Sequence, residues 1–87
     1  MATRQIRPTS ILTINTGDGA AAENHSYPMR TPVLAVRFGT AQIQISLPAW
    51  DKVTTADLDF ARQLAKEAHD FAVSCERIYR GRKGVAA

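Results

Sequence analysis

The clearest alternation of apolar and polar positions lies in "VLAVRFGTAQIQISL", residues 33–47, where Gly39-Thr40 separates two strand-like runs. A two-residue turn there sets Phe38 opposite Ala41, Val36 opposite Ile43 and Leu34 opposite Ile45, all on one face. The other face carries Val33 with Ser46, Ala35 with Gln44 and Arg37 with Gln42, and is half polar. Both faces agree with one register. The stretch therefore predicts a β-hairpin whose apolar face is covered and whose half-polar face meets solvent.

Upstream, "TSILTIN" (9–15) is rich in β-formers and predicts a first strand with Leu12 and Ile14 on one face. Residues 16–32 hold glycines, two prolines and no sustained period, which reads as a long loop. Downstream, Thr54 followed by Asp57 has the form of a capping box, with Val53 and Leu58 spaced as a hydrophobic staple. A helix is expected from Thr55 to Arg80, with Asp57 and Asp59 in its first turns, Arg77 and Arg80 in its last, and Gly81 as its stop. The fold class that follows is α+β: a three-stranded antiparallel sheet packed against one long C-terminal helix, in the order βββα. It forms a single domain, flanked by a basic arm (1–8) and a basic tail (81–87).

A helix over 55–80 is about 39 Å long, whereas strands of six or seven residues span about 20 Å. Half of it must overhang the sheet, and that half is not polar all round. Phe60, Leu64, Phe71, Cys75 and Ile78 form one apolar stripe. Beside it Leu58, Ala61, Ala65, Ala68, Ala72, Cys75 and Tyr79 follow the 3-4 spacing of a heptad seam. The larger stripe is expected to face the sheet. The small-residue seam is expected to meet another helix, and a second copy of the chain fits best. A chain of 87 residues has a thin core of its own, so association is a common remedy. A homo-oligomer, with a dimer favoured, is the expected assembly.

Composition alters this picture only in places. Hydrophobic residues make up 45% and charged residues 22%, which is globular rather than disordered. The lone Cys75 excludes an internal disulfide and a cysteine-based zinc cage, and favours a reducing, cytoplasmic setting. It falls in the apolar stripe and is expected to be a small buried hydrophobe. No apolar run is long enough to span a bilayer, so no membrane partner is expected.

The net charge of +3 becomes informative only through its placement. In an up-down-up sheet followed by a descending helix, the start of the first strand, the Gly39-Thr40 turn and the helix C-terminus share one end. Arg4, Arg7, Arg37, Arg77, Arg80, Arg82 and Lys83 would then form a basic pole suited to an anionic partner. Tyr79 is the one aromatic there and no groove-reading motif is present, so nucleic acid would be bound only weakly and without sequence preference.

Candidate chemistry is sparse. His25 lies among Asp18, Glu23, Ser26 and Tyr27, but that spacing matches no metal site. His69 and Cys75 are about 240° apart around the helix and cannot act as a nucleophile-base pair. The helical carboxylates have structural explanations: Asp57 and Asp59 at the helix start, with Asp59 also spaced to pair with Arg62, and Glu76 spaced to pair with Arg80. "TGDGAAA" lacks the lysine and hydroxyl of a phosphate-binding loop. No catalytic residue, metal or cofactor is expected. The reading is a non-enzymatic binding protein that self-associates through its helix and acts by contacting another macromolecule, with another protein as the expected partner, as a regulator or inhibitor. Nucleic-acid binding by the basic pole is the first alternative. Ligand binding between subunits and the 16–32 loop is the second.

Overall fold

The computed structural model describes residues 9–85. Three antiparallel strands, β1 (Ala21–His25), β2 (Val33–Phe38) and β3 (Ala41–Ser46), form one sheet in sequential order, followed by a single helix, α1 (Thr55–Val85). The hairpin has the expected register: Phe38 pairs with Ala41, Val36 with Ile43, Leu34 with Ile45, and Val33 with Ser46. Gly39 sits at φ 61°, the left-handed conformation that a tight two-residue turn requires.

The first strand is not at 9–15 but at Ala21–His25, inside the stretch expected to be a loop. Ile11 and Leu12 are exposed instead. The reason is the open edge of β2, whose unpaired N–H and C=O groups take the nearest segment able to return antiparallel. A turn in which the Ala20 N–H donates to Gly17 O (3.1 Å), with Gly19 at φ 85°, leads into β1. The short 26–32 connection then brings Ala21 opposite Arg37 and His25 opposite Val33. "AAENH" is a poor strand former by composition, so backbone pairing overrides propensity here.

The start of α1 is as expected. The Asp57 N–H donates to Thr54 Oγ1 (3.1 Å) and the Thr54 N–H donates to Asp57 Oδ2 (3.0 Å), closing a reciprocal capping box. Thr54→Ala removes one half of it and should cost about 1 kcal/mol of stability, seen as a lower thermal midpoint. A midpoint unchanged within error would mean the cap contributes nothing. The far end is a correction: α1 runs through Gly81 to Val85 rather than stopping at Arg80. Gly81 is not among the described glycines with positive φ, so it serves as a helical residue and not as a left-handed stop. With 31 residues α1 is about 46 Å long, more than twice the length of any strand.

Burial departs from the expected pattern. Among the described residues the buried hydrophobic ones are Val33 (7% exposed) and Ala35 (1%), both on the half-polar face of β2. Ala35 is small and stands between Glu23 and Gln44 on the neighbouring strands, whose longer side chains can shade it. On the opposite face Leu34, Val36, Phe38, Ile43 and Ile45 are only half-buried. The helix that should cover them stands off: no described Cα of α1 lies within 8 Å of a strand Cα. The radius of gyration, 16.8 Å, exceeds the roughly 12 Å of a compact domain of this length.

Candidate interaction surfaces

Between the apolar face of the sheet and the first half of α1 runs an open groove of about 520 Å³. Leu34, Ile45 and Leu47 form its sheet wall. Leu58, Phe60, Ala61, Leu64, Ala65 and Ala68 form its helical wall. The alanine seam and the larger stripe thus share one surface over the first half of α1, because on a helix they are adjacent rather than opposed. Asn24 and Asp57 are the polar residues at its margin. From His69 to Gly81 the helix residues are exposed, including Phe71 (70%), Ala72, Ile78 (58%) and Tyr79 (64%). Cys75, expected to be buried, is exposed, because no strand of the sheet reaches that half of the helix.

The ion pairs on α1 also differ from the expected set. Lys66 Nζ donates to Asp70 Oδ2 (3.0 Å) and lies 3.6 Å from Glu67, and Arg80 Nη2 donates to Glu76 Oε2 (3.0 Å). The Asp59–Arg62 pair does not form, and Arg62 has no ion-pair partner among the described residues.

A second surface, not anticipated from the sequence, lies on the two loops that flank the hairpin. Thr31 is buried and ties them together: its N–H donates to Trp50 O (2.7 Å) and its Oγ1 donates to Ala49 O (3.0 Å). Pinned in this way, the loops expose Met29 (82%), Trp50 (66%) and Tyr27. The Arg30 guanidinium sits over the Tyr27 ring, 5.1 Å from its centroid, and His25 stacks against Tyr27 at 6.5 Å. Met29 and Arg30 from one loop and Asp51 and Lys52 from the other line a shallow depression between them. The signal was present in the sequence as Tyr, Met and Trp beside prolines. It takes the Thr31 hydrogen bonds to bring the two loops together.

His25 is therefore engaged in a stack, and its Nε2 lies 3.7 Å from Glu23 Oε1. Glu23 also accepts a hydrogen bond from Arg37 Nη1 at 3.2 Å. Among the described residues no group of three or more His, Cys, Asp or Glu side chains is placed to hold a metal ion. No helix among them is long and apolar enough to cross a membrane.

The basic pole is only partly described. Arg4 and Arg7 lie outside the described residues, as do the side chains of Arg82 and Lys83. Of the remainder, Arg37 is neutralised by Glu23 and Arg80 by Glu76. Arg77 has no ion-pair partner among the described residues. The helix does not approach the strands, so Arg37 is not brought into contact with Arg77 or Arg80. Compared with known proteins, the chain matches no family model, no curated protein and no solved structure.

Proposed function

We propose that this chain is a non-enzymatic binding protein that self-associates through α1 and acts, as a regulator or inhibitor, by contacting another protein through its paired loops. The observation that carries the second part is the loop surface held by Thr31. Tyr, Trp, Met and Arg are the residue types enriched at protein interfaces, and here Tyr27, Met29, Arg30 and Trp50 are exposed on two loops that the Thr31 hydrogen bonds join. Self-association is supported by the groove and by the long exposed apolar stripe, since an uncovered patch of this extent on a small chain marks an interaction site.

The nucleic-acid reading is weakened by the local pairing of Arg37 and Arg80, which leaves fewer free cations for phosphate. The ligand reading retains one supporting observation, that Asn24 and Pro32 of the 16–32 segment border the apolar groove. Self-association would compete for that same space.

The test is affinity capture from the native host's lysate, with and without nuclease, using the wild-type chain and a Met29→Ser/Trp50→Ala variant. A protein retained after nuclease by the wild-type chain and lost by at least tenfold with the loop variant is the expected result. Capture that nuclease abolishes would favour the basic pole. Equal capture by both chains would remove the loop surface from the proposal.

A further inference from the structure

The partner that α1 requires can be specified further than its existence. Resting on the proposed self-association, we infer that two copies pair their α1 helices antiparallel about a two-fold axis at the helix midpoint, each helix completing the groove of the other copy.

The chain's accessible surface is 8154 Å², against about 5,000 Å² for a compact monomer of 9.5 kDa. That surplus exceeds by severalfold the roughly 800 Å² per partner that a stable interface takes. Part of the exposed apolar surface lies on the loops and at Ile11 and Leu12, but its continuous stretch runs from the groove along Phe71, Ile78 and Tyr79 of the helix, so an occupant of α1 must cover both halves. A second α1 does so only if its free half lies beside the groove-lining half of the first, and that requires antiparallel helices.

The seam residues fit this arrangement. Helix α1 spans Thr55–Val85, so its midpoint is residue 70, and full overlap sets each seam residue opposite the one equally far beyond that point, with flanking residues paired two positions off that level. Ala61 then faces Tyr79 of the second copy, Ala65 faces Cys75, and Ala68 faces Ala72. Each of these three layers holds at least one alanine, and their one large residue, Tyr79, meets a small one, as close helix packing needs. A parallel pair would instead set each seam residue against itself, alanine on alanine in the middle and Tyr79 on Tyr79 at the end.

The flanking positions separate the two arrangements as well. One side of the seam carries Arg62, His69 and Glu76, and the other carries Leu64, Phe71 and Ile78. Antiparallel heptads pair like flanks. Arg62, which lacks an ion-pair partner within its own chain among the described residues, meets Glu76 of the second copy, twice by symmetry, and Glu76 would bridge it and its own Arg80. Leu64 meets Ile78, and Phe71 meets Phe71 at the axis. Parallel helices would pair unlike flanks, setting Leu64 against His69 and Phe71 against Glu76. With the helices antiparallel, Ile78 and Tyr79 of the second copy lie along Leu64 and Ala61 and close the groove over Leu34 and Ile45.

Sedimentation of the full chain, combined with disulfide trapping under mild oxidation, tests this. A dimeric mass is expected. Wild-type Cys75 should not cross-link, because the two sulfurs are about 15 Å apart along the pair. His69→Cys in a Cys75→Ala background should trap a covalent dimer in most of the protein. Arg62→Glu and Glu76→Arg should each weaken dimerisation about tenfold, and the double exchange should restore it to within about threefold. A monomer at all concentrations would overturn the parent reading and this one together. A dimer that cross-links through wild-type Cys75, that the His69→Cys variant fails to trap, or that the double exchange fails to restore would overturn the antiparallel pairing alone.

Discussion

Ala65→Glu together with Ala68→Glu should convert the protein to a monomer. Both alanines line the groove on its helical wall, and both lie on the seam proposed to meet a second helix. Glutamate at either position sets a charged carboxylate into a surface that association would close to water. A buried charge without a partner costs several kcal/mol unless it is neutralised. With two such charges per chain, the dissociation constant should rise at least a hundredfold, which light scattering at micromolar concentration reads as a halved mass. Cys75 supplies a second readout. It is exposed in the single chain, so a thiol reagent should label it rapidly in the double variant and slowly in the assembled wild type. An unchanged mass with equally rapid labelling in both would mean that the alanine seam is a solvated face, where alanine serves only as a good helix former.

Ala35→Asp should unfold the sheet. Ala35 is 1% exposed on the central strand, with Glu23 as its partner on β1 and Gln44 on β3. An aspartate there would be buried, without a cation assigned to it, beside an existing carboxylate. The expected loss is at least about 3 kcal/mol, a large share of what a domain this small can hold. The comparison is Ala41→Asp, at an exposed position on the opposite face of β3, where a loss within about 1 kcal/mol is expected. Chemical denaturation of the two variants measures both. Equal losses would show that the half-polar face is not where the sheet is most tightly covered.

The first experiment probes the helical wall that stands over the apolar face of the sheet and the second probes the half-polar face, and the contrast explains the open shape of the single chain. The half-polar face holds the buried hydrophobic residues found among the described residues, Val33 and Ala35. The apolar face, with Leu34, Val36, Phe38, Ile43 and Ile45, needs a cover, and the connection from Ser46 to Thr55 delivers α1 to its margin without closing it down. An apolar groove left open on a chain with a long unsupported helix is what association of a second copy would close.

Much of the architecture was legible one residue at a time. Alternation across Gly39-Thr40 specifies the hairpin register, because a one-residue slip would send every side chain to the wrong face. Thr54 and Asp57 specify where α1 begins, because their side chains supply the partners that the first helical N–H groups lack. Both are local matters, decided within a few residues of chain. What local chemistry could not decide was which segment pairs with the free edge of β2. "TSILTIN" has the better strand composition, but "AAENH" lies where the chain can return to that edge, and the backbone hydrogen bonds are the same whatever side chains they carry. The same holds for the candidate surfaces. The seam and stripe on α1 are visible as spacings, but their merging into one groove wall, the exposure of Cys75, and the union of Tyr27, Met29 and Trp50 through Thr31 depend on where separate elements come to rest. Periodicity reports which faces of an element are apolar; only the packing of elements against one another reports which of those faces remain uncovered.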